Sequence, residues 1–236
     1  ISGNKRWETG RSVYDFWVQE WAGVNPENGK AQWYKDELLT VNGVTQYDEK
    51  GNPVKTGNRL KTENYSEASR YYSGSAIPDL TGGIVQELRI RNFDLTAVTS
   101  FGLGGKIYDN SYAFLMHAGS NRGSHWHADI LDRWTEKGQI TNIPVLNGSQ
   151  DAMQQSSRFL TPADYFSVRE VTLGYNLNPS GQGNSRLPEA RFYVSGQNLW
   201  IHSARKGMDP IQNFHGTHSN VYMPVQTISL GVNLSF

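Results

Sequence analysis

The chain contains no cysteine. That removes disulfides, thiolate zinc sites, iron–sulfur clusters and cysteine nucleophiles from consideration. It lacks any excess of one charge: 22 Lys and Arg stand against 22 Asp and Glu. A nucleic-acid partner would favour a basic face, and a polybasic membrane tether would show as a cluster of Lys and Arg; neither is present, so no nucleic acid is expected. It also lacks a long hydrophobic run. No stretch approaches the ~20 apolar residues of a membrane helix, and the mean hydropathy is −0.59. Transmembrane β-strands escape that criterion, because they are apolar only at alternate positions. Finally, the chain opens on Ile1 without a methionine or a signal peptide. An exported precursor carries one, so a processed chain or a piece of a longer one is expected, with nicking in an exposed loop as one route.

What the chain does have is alternation. From Thr227 to the end, Ile228, Leu230, Val232, Leu234 and Phe236 fall on one face of an extended strand. Thr227, Ser229, Gly231, Asn233 and Ser235 fall on the other. A period of two is the mark of a strand with one apolar face. A soluble sandwich strand alternates too, but a soluble terminus usually frays and is polar. Val171, Leu173, Tyr175 and Leu177 alternate against Glu170, Thr172, Gly174 and Asn176. Phe192 and Val194 alternate with Tyr193, Ser195 and Gln197, and residues 93–101 repeat the pattern with Val98 out of phase. Residues 83–91 do so more weakly, with Val85 and Gln86 exchanged between the faces.

The expected connections come in two lengths. Arg91-Asn92 makes a tight turn, and residues 178–187 (Asn-Pro-Ser-Gly-Gln-Gly-Asn-Ser-Arg-Leu) form a polar one. Residues 102–163 and 202–222 are long loops. Membrane barrels pair short periplasmic turns with long extracellular loops, whereas compact soluble domains seldom carry loops beyond ~15 residues. Upstream, residues 13–21 are aromatic and fit strand or helix. Residues 25–30 form a turn, residues 31–35 a short strand, and residues 41–69 a loop.

Searches for chemistry end in solvated surfaces. His125-x-His127-x-Asp129, with His117 nearby, has an alternation that could ligate a metal in an extended segment, but it sits in a polar loop; no metal is expected. Asp129, Asp132 and Glu136, or Glu87 with Glu170, offer carboxylates without the setting of a glycosidase pair. Gly102-x-Gly104-Gly105 lacks the fingerprint spacing of a phosphate loop. No Gly-x-Ser-x-Gly elbow is present. No catalytic residue and no cofactor is expected, and the chain does not read as an enzyme.

Several strings occur in a familiar order. Ile77-Pro78-Asp79-Leu80-Thr81-Gly82-Gly83 precedes a strand, and Phe93-Asp94-Leu95 opens the next. Phe101-Gly102-Leu103-Gly104-Gly105-Lys106-Ile107-Tyr108-Asp109 leaves it. Asp164-Tyr165-Phe166 through Leu173-Gly174-Tyr175, Val194-Ser195-Gly196-Gln197-Asn198-Leu199 and Gly207-Met208-Asp209-Pro210 follow. Tyr14-Asp15-Phe16, Ala22-Gly23-Val24-Asn25-Pro26 and Trp33-Tyr34 stand upstream. Together they resemble the C-terminal part of a SusC/RagA-type TonB-dependent outer-membrane transporter. Residues 42–63 carry no string of that family.

The resemblance implies an all-β fold: about five to eight antiparallel strands with long extracellular loops, forming the C-terminal portion of a large barrel, one of about 22 strands. Residues 1–236 would be one barrel segment, without the plug and unable to fold or transport alone. The implied partners are the remaining N-terminal part of the barrel with its plug, a SusD-like surface lipoprotein, TonB, outer-membrane lipid, and a glycan or peptide ligand. The terminal strand, with Val232, Leu234 and Phe236, is the implied assembly signal. Trp126, Trp134, Tyr112, Trp200 and Phe214 are the candidate ligand or lid contacts, since aromatic faces stack on sugar rings and also pack peptide side chains. Packing of the loops against one another is the competing role for each.

Overall fold

The computed structural model describes residues 3–177, 189–212, 215–219 and 221–235. The chain divides into two compact units, residues 77–107 with 162–236, and residues 1–76 with 108–161.

The first unit is built on a five-stranded antiparallel sheet. Its strands are β1 (Leu80–Ile90), β2 (Phe93–Leu103), β3 (Tyr165–Leu177), β4 (Glu189–Ser203) and β5 (Thr227–Ser235). Each strand pairs with its neighbour in sequence, so the sheet is an uninterrupted meander. Arg91 and Asn92 close the β1–β2 turn, and Arg91 takes the left-handed φ of 53° that so tight a reversal needs. The 178–187 turn lies outside the described residues. The long connections, β2 to β3 and β4 to β5, leave from the opposite end of the sheet, as the barrel expectation requires.

Register sets which side chains share a face. Ile228, Leu230, Val232 and Leu234 pair with Gly196, Val194, Phe192 and Ala190. Those pair in turn with Val171, Leu173, Tyr175 and Leu177. Ala97, Leu95 and Phe93 continue the rows, ending on Gln86, Leu88 and Ile90. One face is therefore apolar across all five strands. Its side chains are left open: Leu230 is 83% and Ile228 74% exposed. The opposite face carries Glu87, Arg89, Asp94, Thr96, Ser100, Glu170, Thr172, Asn176, Arg191, Tyr193, Ser195, Gln197, Ser229 and Asn233. An apolar face left open across five strands, backed by a polar one, fits a sheet with a bilayer on one side and a wet lumen on the other.

One feature breaks the alternation. The register shifts between Val168 and Glu170 against both neighbouring strands, and Asn198 opposite has φ 51°. This bulge adds Arg169 to β3 and turns its Nε onto Ser100 of the polar face at 3.2 Å. Phe166 and Val168 thereby join the apolar face although they lie out of phase with Val171 and Leu173.

The second unit is made of segments that the sequence suggests are mostly loop. Strand Asp15–Gln19 pairs with Arg70–Ser75, burying Phe16 and Val18. Strands Trp21–Val24, Ala31–Leu38 and Lys55–Thr62 form a second sheet. Its buried Trp33 packs edge-on to Trp21 at 5.8 Å and to Tyr65 at 5.2 Å. Strand Lys55–Thr62 corrects the expectation of loop over 41–69. It is almost wholly exposed and has no apolar period; backbone pairing and the ion pairs Lys55–Asp36 and Arg59–Glu20 hold it. Residues 108–161 add a short helix, Asn110–Leu115, and 3-10 turns around a core of Phe16, Tyr108, Met116, Ile130, Ile143 and Phe159.

Candidate functional site

Three surfaces carry the candidate side chains: the apolar face of the five-stranded sheet, its polar face, and the surface of the loop unit.

On the apolar face the aromatics gather at the two ends of the strands. Phe93 packs on Tyr175 at 4.9 Å near the short-turn end, with Phe192 paired beside Tyr175. Phe166 packs on Trp200 at 6.2 Å and Trp200 stacks on His202 at 6.0 Å near the long-connection end. Between them the rows hold Leu95, Ala97, Val171, Leu173, Val194, Ile228 and Leu230. The stretch Phe93–Phe101 has the length a tilted transmembrane strand needs, about 9–11 residues. Aromatic clusters at both ends of an apolar stretch of transmembrane length are what a barrel's interfacial girdles look like. Trp200 thus lies within β4 rather than in a loop, on the apolar face. Val232 and Leu234 lie on the same apolar face; Phe236 falls outside the described residues.

On the polar face two clusters are tied together. The Arg191 guanidinium meets Asp94 through Nη2–Oδ2 at 2.5 Å and Nε–Oδ1 at 3.2 Å. Asn176 adds a bond to Asp94 Oδ1 at 2.6 Å. The pair closes directly over Gly174, where a Cβ would come within 2.6 Å of the Asp94 oxygens and 2.7 Å of Arg191 Nη2. Glycine in the Leu-Gly-Tyr string is thereby explained: it lets a salt bridge cross the strand. Nearer the middle of the strands, the Thr172 and Ser195 hydroxyls lie 3.0 and 3.3 Å from Glu170 Oε1, and 2.8 Å from each other. The arrangement holds charge on a wall that water can reach. Glu87 and Glu170, weighed as a carboxylate pair, stand on this wall, separated by β2.

The ends of the strands are held by the other recurrent strings. Asp164 Oδ1 accepts the Gly104 N–H at 2.7 Å. Gly104 and Gly105 both take φ 77°, a region that favours glycine. Met208 of the Gly-Met-Asp-Pro string is buried with Ile107 and Ala163.

In the loop unit the candidate aromatics divide. Tyr112 packs against the core, 6.1 Å from Phe159, and its hydroxyl donates to Asp129 Oδ2 at 2.8 Å. Trp134 lies over Gly29 and donates its indole N–H to the Pro26 carbonyl at 3.1 Å. Both hold segments of the unit to one another. Trp126 differs, remaining 46% exposed. Phe214 lies outside the described residues. Arg158 also has a packing role: it sits 4.9 Å from the Trp21 ring and donates to the Ala152 carbonyl at 2.7 Å. Burial lowers its pKa to about 10, so it stays charged at neutral pH. Tyr71 is pushed up to about 12 by burial and by its bond to the Asp36 carboxylate.

Among the described residues no three His, Asp or Glu side chains group as a metal site. His117 is buried, and its Nδ1 accepts the Gly119 N–H. His127 Nδ1 accepts the Asp129 N–H at 3.2 Å and caps the turn that follows.

No protein-family model matches the chain. Curated proteins similar to it include two TonB-dependent receptors of Formosa agariphila. Receptor P3 is 29% identical across 72% of this chain, and receptor P26 is 26% identical across all of it. The chain spans only 18% and 24% of their respective lengths. Among solved structures, the RagAB peptide transporter superposes with a TM-score of 0.75 at 24% identity, over 98% of this chain and 24% of that one. The RagAB peptide importer in its closed-closed state gives 0.74 at 25% identity, over 100% of this chain and 25% of that one. The matches run the length of the meander and its loop unit: the sequence is similar to TonB-dependent receptors, and the fold is that of the C-terminal part of a RagA-type outer-membrane β-barrel.

Proposed function

We propose that the chain is one segment of an active importer in the bacterial outer membrane. The observation that carries this is the split sheet, with an open apolar face on one side and a polar face on the other, in a chain similar to TonB-dependent receptors along its length. The remaining strands and a plug come from the rest of the receptor. TonB supplies the energy that moves the plug. A SusD-like lipoprotein covers the external opening, as the resemblance implies, and the cargo is an oligosaccharide or a peptide. Lumenal groups such as Arg169, Glu170, Tyr193 and Gln197 line the solute's path or bond to the plug.

Energised uptake separates this function from a passive porin. Cells producing the intact receptor should accumulate radiolabelled cargo, and collapsing the proton gradient with an uncoupler should cut accumulation at least about tenfold, because TonB draws on that gradient. Uptake that persists unchanged with the uncoupler would mean an open pore.

A further inference from the structure

We propose that Trp126 is a rigid stacking platform for a sugar ring in the loop unit of the receptor; this rests on the importer function above and narrows its cargo. Three observations carry it. First, the back of the indole is covered. It stacks on the His117 imidazole at 4.8 Å with an interplanar angle of 26°, and His117 itself is completely buried. Second, the one polar group of the indole is already used, since Nε1 donates to the His117 carbonyl at 2.8 Å. The ring is therefore fixed in plane and in tilt. Third, it is nonetheless 46% exposed, and with its back covered that exposure belongs to the outward side.

An aromatic ring held flat, backed by a second ring and open on its other face suits a flat apolar partner. The C–H face of a pyranose is such a partner, and its hydroxyls then need donors and acceptors around the rim. Arg122 and His125 precede Trp126 by four positions and one, are exposed, and have no side-chain hydrogen bond or ion pair among the described residues. A peptide gains most from grooves and pockets that take alternate side chains, whereas a fixed exposed ring provides neither. Because the ring is pre-ordered, stacking on it costs little side-chain entropy.

The full-length receptor in detergent, with and without Trp126→Ala, would be probed on a printed array of neutral and acidic oligosaccharides and on a matching array of short peptides. The expected result is glycan binding by the parent, at least about tenfold weaker in Trp126→Ala and largely kept in Trp126→Phe. Since Trp126 covers His117, Trp126→Ala could loosen the loop. The double variant Arg122→Ala/His125→Ala removes only exposed side chains, and should weaken the same glycan about threefold or more with protease resistance unchanged. Parent receptor that binds no glycan, losses confined to peptides, or glycan binding unchanged in both variants would overturn the assignment. Uncoupler-sensitive uptake of a peptide alone would sink the sugar platform and leave the importer standing; uptake indifferent to the uncoupler would sink the importer whatever Trp126 binds.

Discussion

Gly29→Ala should open the loop unit, with a loss of about 2–5 kcal/mol in its local stability. Two costs add. Gly29 has φ 74°, and a left-handed conformation costs an L-residue about 1–2 kcal/mol. The new Cβ would also lie 2.4 Å from Trp134 Cε3, 2.6 Å from its Cδ2 and 2.9 Å from Val145 Cβ. Overpacking of that kind costs about 1–3 kcal/mol. Relief by movement is blocked on both sides. Trp134 is held by its indole bond to Pro26 and by its backbone N–H to Ile143 at 2.9 Å, and Val145 donates to the Gly29 carbonyl at 2.9 Å. Limited proteolysis of the intact receptor should show cleavage within residues 108–161 rising at least about thirtyfold, the ratio that ~2 kcal/mol implies. Gly123→Ala is the control: φ is 82° but nothing lies within 4 Å of its Cβ, so only the conformational cost applies. Equal effects of the two substitutions would remove Trp134 from the explanation.

Ile228→Arg should nearly abolish assembly in the outer membrane, while Ser229→Arg should be tolerated. Ile228 lies in the row Ile228–Gly196–Val171–Ala97, midway between the two aromatic bands. Arginine on the lipid face near mid-depth costs about 2–4 kcal/mol, enough to shift a folding equilibrium by roughly thirty- to thousandfold. Ser229 pairs with Ser195 on the polar face, where a guanidinium keeps its water. Heat-modifiable receptor in outer-membrane fractions should fall at least about tenfold for the first substitution and stay within about twofold for the second. Similar yields for both would contradict the assignment of faces.

Much of the sheet is legible in the sequence because a strand with one apolar and one polar face obeys a simple rule. Thr227–Ser235 and residues 170–177 split in this way, so each alternates. Even the two exceptions of β1 are informative: Gln86 sits on the apolar face and Val85 on the polar one, as their positions dictate. The bulge at Arg169 is written only as a change of phase, Phe166 and Val168 in one and Val171 and Leu173 in the other, and is easily taken for noise. Strand Lys55–Thr62 is invisible because it buries almost nothing; its partner strand, not its composition, makes it a strand. Trp200 looks like a loop aromatic until β4 is seen to run on to Ser203. The role of Trp134 depends on a glycine more than a hundred residues away, a pairing that no local pattern reveals. Trp126 and Trp134 are alike as sequence and differ only in what lies behind them.

Cysteines introduced into this cysteine-free segment, in a receptor whose other cysteines are replaced, test the central claim, that this sheet stands between lipid and water. Single cysteines placed one at a time at positions 192–195, 197, 227–230 and 232–234 of the full receptor, spin-labelled in vesicles, report contact with oxygen in lipid and with a nickel chelate in water. Oxygen accessibility should peak at 192, 194, 228, 230, 232 and 234, and nickel accessibility at 193, 195, 197, 227, 229 and 233. Oxygen maxima on the second set, or no alternation at all, would contradict it.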